Sequence, residues 1–264
     1  MKKIKMLGVA MMAAVVMLLT SCLGDTNTVT AGYGFGVIKS GAMFRSVASV
    51  YGWGPVYSEQ FDAGTTTLMS GDCVWLNFEY DTANPNNANV ETNGYYYVTL
   101  KTDPVVLEKG SFNPIAPNLE EALPGEIALQ YGAYGMESPQ YFAAIDDYLF
   151  LTPVFTGKED QRNNWYLYYD SSAEPEMRDG ANVYTFYIRG IVDIEGKGND
   201  KDVADICPFY TYTYLTQIND KEYAAGNSQF GLEFKYVKEF NSEGKPVWVE
   251  TADVIRFATQ KAAE

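Results

Sequence analysis

Apolar and polar residues alternate in short runs along most of the chain, which is the pattern of strands that bury one face. The run 73–80 shows it most clearly, because its even-numbered residues are apolar and Trp75 faces the other way. Turn-forming residues fill positions 81–89 and a tyrosine-rich run follows at 95–101, which predicts an antiparallel hairpin. About five such strands between residues 33 and 112 predict a small closed barrel of the OB type.

The second half of the chain repeats this strand pattern after a less regular stretch. Prolines interrupt residues 103–147, where we expect no long element and only a short helix near 140–147. Apolar-rich runs then occur at 148–155, 164–169, 183–189, 209–215, 230–237, 247–249 and 254–257. Turn signals separate these runs, so residues 113–264 are predicted to form an antiparallel β-sandwich, and the whole chain is predicted to be all-β.

The N-terminus breaks the alternation. Three lysines precede an apolar stretch of 14 residues at 6–19, which is shorter than the roughly 20 residues that a membrane-spanning helix needs. Small residues and Cys22 end the stretch, in the order that is typical of a lipoprotein signal peptide. We therefore predict cleavage after residues 1–21, lipidation of Cys22 and a polar tether over residues 22–32. The alternatives are an ordinary secretory signal with an incidental cysteine and an N-terminal buried helix.

Charge limits what the mature body can bind. The chain has 19 basic and 34 acidic residues, and loss of the three signal-peptide lysines leaves 16 basic residues and a net charge of −18. Nucleic acid and anionic lipid headgroups both require basic surfaces, so we expect the body to bind neither. Membrane attachment would then come from the acyl chains on Cys22, because two or more chains hold a protein stably in a bilayer.

The sequence contains no histidine. Ser-His-Asp and Cys-His nucleophiles, His-ligated zinc and the usual general base near neutral pH are therefore excluded. Paired carboxylates could in principle hydrolyse glycosidic bonds, but the acidic pairs at 120–121 and 146–147 are adjacent residues whose side chains diverge. We expect no enzymatic activity and no cofactor, with calcium as the one metal to consider.

An acidic segment at 193–205 is the best candidate for a calcium site. Calcium takes about six to eight oxygen ligands. Five side chains of the segment offer oxygens: Asp193, Glu195, Asn199, Asp200 and Asp202. The spacing differs from that of an EF-hand, and Lys197 and Lys201 lie among the carboxylates. The alternative is a solvated loop between two strands.

Aromatic residues offer a second kind of site, because aromatic rings stack on sugars. Trp53 lies between two glycines, where an exposed turn is expected, and Trp165 opens an aromatic run at 165–169. Both tryptophans are candidates for glycan contact. The alternative is that such aromatics fill the core and form cross-strand pairs.

Cys73 and Cys207 remain when Cys22 is lipidated. A compartment outside the cytoplasm permits a disulfide between them. The alternative is two buried thiols that pack as small apolar residues, and it is favoured because the two cysteines are expected in different domains.

Four stretches together resemble the NigD-like lipoproteins of Bacteroidetes. They are Ser-Cys-Leu-Gly-Asp at 21–25, Gly-Asp-Cys-Val-Trp-Leu-Asn-Phe at 71–78, Gly-Tyr-Tyr-Tyr-Val at 94–98 and Asp-Tyr-Leu-Phe-Leu at 147–151. The resemblance covers most of the mature chain. It implies an N-terminal OB-like barrel and a C-terminal β-sandwich on the cell envelope, in a family that is not known for enzymatic activity.

These expectations describe a protein that is lipid-anchored to the bacterial outer membrane through Cys22. Only Asp25 is acidic just after the cysteine, so a position facing the periplasm and one facing the cell surface both stay open. We expect a binding, accessory or structural role toward envelope proteins, and glycan binding through exposed aromatics is the alternative.

Overall fold

A computed structural model describes residues 28–40, 46–63, 68–130, 143–251 and 254–261. The predicted signal peptide and Cys22 lie outside these residues. The chain divides into two compact units, whose boundary in sequence lies between Glu108 and Lys109, with Ala143–Asp146 grouped with the first unit. Across the described ranges, no helix has the length and apolar character needed to cross a membrane.

Strands dominate both units, which confirms the all-β class. The elements in chain order are β1 (Val29–Ser40), β2 (Ser46–Val50), β3 (Gly54–Tyr57), α1 (Glu59–Ala63), β4 (Cys73–Asp81), a 3-10 turn (Pro85–Asn87), α2 (Val90–Asn93), β5 (Tyr96–Leu100), β6 (Val105–Val106), β7 (Ser111–Asn113), β8 (Glu126–Ile127), β9 (Ala143–Ile145), β10 (Tyr148–Leu151), β11 (Val154–Glu159), β12 (Arg162–Tyr169), β13 (Glu176–Arg178), β14 (Ala181–Ile194), β15 (Lys197–Ala204), β16 (Cys207–Tyr210), α3 (Tyr212–Ala224), β17 (Gln229–Phe240), β18 (Pro246–Glu250) and β19 (Ile255–Ala258). Because β1 begins at Val29, the tether that was expected to reach residue 32 ends earlier.

Five strands of the first unit close into a barrel in the order β1-β2-β3-β5-β4. The long strand β1 closes the ring, because residues 29–37 pair with β4 and residues 36–40 pair with β2. A short parallel pairing joins β3 to β5. This is the closed barrel of the OB type that the sequence predicts.

The barrel is filled by one apolar cluster: Ile38, Ala48, Val50, Val56, Phe61, Val74, Leu76, Phe78, Val98 and Leu100. Its members in β4 are the even-numbered residues of the alternating run, as predicted. Gly32 in β1 leaves room for two large rings, since a Cβ there would lie 2.8 Å from Cζ2 of Trp53 and closer still to Phe78. The missing side chain therefore allows an aromatic filling of the barrel.

The second unit is built on a large sheet with the path β18-β17-β14-β12-β7. Two further pairings, β10 with β16 and β11 with β15, form a second layer. Both layers contribute to one apolar cluster, whose large members include Leu149, Phe155, Trp165, Leu167, Phe186, Phe209 and Phe234. Two sheet layers around one core agree with the expected sandwich.

The large sheet differs from a wholly antiparallel sandwich in two places. β14 pairs with β17, and β12 pairs with β7, in parallel. Parallel neighbours need a long crossover connection, and β15, β16 and α3 lie between β14 and β17 in sequence. The expected wholly antiparallel arrangement therefore needs this correction.

Two local predictions of secondary structure are wrong. The strand expected at 209–215 ends at Tyr210, and α3 begins at Tyr212. Ile218 and Glu222, four residues apart on α3, are buried, so packing of one helix face outweighs the strand preference of the local tyrosines and threonines. The short helix expected near 140–147 is contradicted from residue 143 onward, where β9 forms, and its earlier part lies outside the described residues.

Cys73 in β4 and Cys207 in β16 are both buried thiols. They belong to different compact units. The favoured expectation of two buried thiols is confirmed.

Candidate functional site

The five residues of the predicted calcium site lie in the consecutive strands β14 and β15, which belong to different sheets, and in the turn between them. β14 ends at Ile194 and β15 begins at Lys197, so the segment is extended on both sides of a short turn. The residues concerned are Asp193, Glu195, Asn199, Asp200 and Asp202. Glu195 pairs with Lys158 of the neighbouring strand at 3.5 Å. No cluster of three or more Asp, Glu, Cys or His side chains suited to a metal occurs in the described part of the chain.

Trp53 lies in the turn between β2 and β3, as its sequence context predicts. The glycines on both sides have positive φ angles, 76° at Gly52 and 86° at Gly54, which only glycine adopts without strain. The Trp53 ring is half-buried and packs edge-on against Phe78, with ring centroids 5.1 Å apart, and against Tyr80 at 6.2 Å. Most of the Trp53 ring therefore packs on the barrel core, and little of it is available to a ligand.

Trp165 corrects the expectation of an exposed aromatic. Its side chain belongs to the core of the second unit and is only 5% exposed. The indole Nε1 donates a hydrogen bond of 3.0 Å to Oδ2 of Asp205, which satisfies the polar atom of the buried ring. Because neighbouring residues in a strand point to opposite faces, the outward residues of this run are Tyr166 and Tyr168.

These two tyrosines belong to a group of four half-buried aromatic side chains on the outward face of the large sheet, here termed the tyrosine face: Tyr166, Tyr168, Tyr187 and Trp248. The rings of Tyr166 and Tyr168 are stacked, with centroids 6.4 Å apart and an interplanar angle of 29°. Tyr168 lies opposite Tyr187 in the β12–β14 register, and Tyr187 contacts Trp248 edge-on at 5.7 Å. The face therefore consists of two aromatic pairs that lie side by side across the sheet.

A buried ion pair fixes one border of the tyrosine face. Arg189, opposite Tyr166 in the register, binds Glu126 through two hydrogen bonds of 2.5 and 2.7 Å. The guanidinium also donates to the backbone carbonyls of Asn118 at 2.9 Å and Glu121 at 2.7 Å. The side chains of the pair are 2% and 0% exposed. A bidentate pair of this kind fixes orientation as well as charge, so the segment 118–126 is held against the sheet.

Trp248 completes this border. Its indole Nε1 donates a hydrogen bond of 3.0 Å to the carbonyl of Leu119, and the Arg189 guanidinium lies 5.4 Å from its ring centroid. The border segment is thus bound to the sheet by an arginine and a tryptophan.

The charged groups of the same sheet face are paired with one another. Glu233 is fully buried and accepts a hydrogen bond from Arg178, which also pairs with Glu176 at 2.6 Å. These partners, Glu176 first, raise the pKa of Arg178 above its ordinary value. Lys235 lies 3.8 Å from Glu233 and 3.7 Å from Glu250. Arg178, Lys235 and Arg189 are therefore each paired with at least one carboxylate.

A third buried carboxylate lies on the core side of the second unit. Glu222 of α3 accepts hydrogen bonds from the Tyr184 hydroxyl, from Asn182 at 3.0 Å to each oxygen, and from Asn227 at 2.5 Å. Desolvation acts to raise the pKa of Glu222, but these hydrogen bonds outweigh it and leave the pKa below its ordinary value. A carboxylate whose oxygens are occupied in this way serves to hold α3 on the sheet, and it is poorly placed to act as a base.

The comparisons with known proteins point to the first unit. Residues 26–104 match the family model described as a lipoprotein OB domain. A search of curated proteins finds no match.

Solved structures resemble the chain over most of its length. An uncharacterized protein from Parabacteroides merdae is 26% identical, with a TM-score of 0.74, over 87% of this chain and 100% of that chain. A protein of unknown function from Bacteroides vulgatus is 12% identical, with a TM-score of 0.50, over 88% and 92%. A NigD-like immunity protein from Bacteroides caccae is 10% identical, with a TM-score of 0.48, over 87% and 97%, and this last likeness supports no further conclusion.

The family match begins four residues after Cys22 and ends within the first compact unit. It agrees with the barrel topology and with the N-terminal OB-like barrel that the sequence predicts. Residues 26–104 are therefore similar to a lipoprotein OB domain, in a β-rich chain that is similar to structures from Parabacteroides and Bacteroides.

Proposed function

We propose that the chain is a lipid-anchored lipoprotein of the bacterial outer membrane, with a non-catalytic binding or accessory role toward other envelope components. The single observation that supports this most strongly is the position of Cys22. It ends an apolar run of the length of a signal peptide, and a lipoprotein OB domain begins four residues later.

The charge of the body supports attachment through lipid alone. A net charge of −18 after cleavage repels anionic headgroups. The acyl chains on Cys22 then supply all of the membrane affinity, and two or more such chains anchor a protein stably.

The state of the buried carboxylates supports a non-catalytic role. Glu126 and Glu233 are paired with arginines, and Glu222 accepts hydrogen bonds from three side chains. Groups that are fully engaged with the protein are poorly suited to exchange protons with a substrate. These carboxylates instead stabilise the fold, which agrees with a protein that acts by binding a partner at its surface.

Labelling with an alkyne analogue of palmitate tests the anchor. We expect label on the wild-type chain and none on Cys22→Ala, which should also keep the signal peptide and migrate as a larger species. Cys207→Ala is the matched control, because Cys207 is a buried thiol of the second unit; it should be labelled like the wild type. An unlabelled wild type, or a labelled Cys22→Ala variant, would contradict the proposal.

Density-gradient separation of the two membranes tests the location. The wild-type chain should co-sediment with outer-membrane porins, and recovery with the inner membrane would contradict this part of the proposal. Protease added to intact cells then distinguishes the two orientations, because only a surface-facing body is cleaved.

A further inference from the structure

We propose that the tyrosine face binds a neutral oligosaccharide. This inference rests on the proposed binding function and adds to it a site and a class of ligand. The site consists of Tyr166, Tyr168, Tyr187 and Trp248 on the outward side of the large sheet, bordered by the segment 118–126.

The stacked rings of Tyr166 and Tyr168, 6.4 Å apart on one strand, form a platform for a sugar ring. Tyr187 and Trp248 lie beside it, with their rings edge to face at 5.7 Å, and add aromatic surface across the sheet. Each ring is half-buried, so it has a fixed position and still presents surface to solvent. The C–H face of a pyranose packs on such aromatic surface, while its hydroxyl groups stay in contact with water.

The polar atoms of the platform suit hydroxyl groups. Within the described residues, the hydroxyls of Tyr166, Tyr168 and Tyr187 make no hydrogen bond. Burial raises the pKa of Tyr168 against an opposing effect of Arg189, so this hydroxyl stays protonated at neutral pH. A phenol both donates and accepts a hydrogen bond, which is what a ligand rich in hydroxyl groups requires.

The charges around the platform favour a neutral ligand. Lys235 is engaged by Glu233 and Glu250, Arg178 by Glu176 and Glu233, and Arg189 by Glu126. These cations are already paired, so they are poorly placed to hold a phosphate, a sulfate or a uronate. The net charge of the chain after cleavage, −18, opposes binding of a polyanion further.

The border of the platform is fixed before any ligand binds. Arg189 and Trp248 bind three backbone carbonyls of the segment 118–126. A rigid border next to Tyr166 reduces the ordering that binding would require, which favours affinity.

Isothermal titration of the full lipidated chain in detergent tests the site. The probes are maltohexaose, cellohexaose, xylohexaose, mannohexaose and galactohexaose, with oligogalacturonate as the acidic probe. We expect at least one neutral probe to bind and the acidic one not to bind. The double variant Tyr166→Ala and Tyr168→Ala should lose about tenfold or more in affinity.

Three controls make the result decisive. Tyr212→Ala removes a tyrosine that is 50% exposed on α3, outside the tyrosine face, and should bind like the wild type. The double variant Tyr166→Phe and Tyr168→Phe keeps the rings and should lose less affinity than the alanine variant. A single cooperative thermal transition, within a few degrees of the wild-type midpoint, shows that each variant is folded.

Binding to none of the five neutral probes overturns the inference, and so does undiminished binding by a folded alanine variant. Tighter binding of oligogalacturonate than of any neutral probe also overturns it. These failures are separable from failure of the anchor, because palmitate labelling of the same preparation reports on Cys22 independently.

Discussion

The interiors of the two compact units differ in how they treat polar groups. Among the described residues, the buried polar side chains of the barrel unit are neutral, Ser58 and Asn87. The side-chain amide of Asn87 bonds to backbone atoms of Asp81 and Tyr97. The second unit buries the carboxylates of Glu126, Glu222 and Glu233 together with the Arg189 guanidinium.

The difference indicates two ways of fixing structure. An apolar core tolerates changes in its side chains, because several apolar packings of similar volume differ little in stability. A buried charged group tolerates little change around it. Its burial costs several kcal/mol unless its oxygens or N–H groups are hydrogen-bonded or ion-paired. The barrel is therefore held by packing, and the segment 118–126 and α3 of the second unit are positioned by specific pairs.

Truncation of a barrel aromatic should have the largest effect. Phe78→Ala removes a fully buried ring from the barrel cluster and should lower the free energy of unfolding by about 4 kcal/mol. Tyr168→Ala removes a half-buried ring from the tyrosine face and should cost less than about 1 kcal/mol. Urea denaturation followed by circular dichroism measures both losses. Equal losses of unfolding free energy would show that Tyr168 stabilises the fold as much as Phe78 does, which would contradict the comparison.

Loss of the arginine in the second unit should come next. Arg189→Met leaves the Glu126 carboxylate buried without its cation and should cost about 3 kcal/mol. The segment 118–126 should also become more susceptible to limited proteolysis.

The matched control for this substitution is the double variant Arg189→Met and Glu126→Gln. It removes both charges and should recover part of the stability, because no unpaired ion remains. A double variant as unstable as Arg189→Met alone would indicate that the packing of the arginine matters more than its charge.

A smaller effect, and one that depends on pH, should follow at Glu222. The folded chain holds the pKa of this carboxyl below its ordinary value of 4.5. Its contribution to stability is therefore present above that value and is lost as the pH falls through the folded pKa. Glu222→Gln should cost about 1–2 kcal/mol at pH 7, because hydrogen bonds to the charged group are lost, and less at pH 3.

Denaturation midpoints of the wild type and the variant at pH 7, 5 and 3 measure this. Glu174→Gln changes a carboxylate that is 90% exposed and should alter little at any of the three values. A difference between wild type and Glu222→Gln that stays constant down to pH 3 would refute the assignment.

The sequence predicted the β4–β5 hairpin of the barrel well because its signals are local. The alternation in β4, the turn residues after it and the return in β5 lie close together in the chain, and the family match covers the same region. The parallel pairing of β14 with β17 joins residues about fifty positions apart, and no local pattern indicates it.

The candidate site was harder to predict. In the run 165–169 both faces of the strand are aromatic, so alternation shows that Trp165 and Tyr166 point in opposite directions but not which one points inward. Only the packing of the second layer decides this. Arg189, Glu126 and Glu222 give no local signal either, since their roles depend on partners 38 to 71 residues away in sequence.

The early start of β1 has a mechanical consequence for a chain held at Cys22. Six residues, 23–28, separate the cysteine from Val29, and a fully extended chain of that length reaches only about 20 Å. Any pull between the bilayer and the body enters the barrel at the pairing of Val29 with Asp81. β1 is paired with β4 over nine residue pairs and with β2 over five, so the strand that receives the load is held by a neighbour on each side.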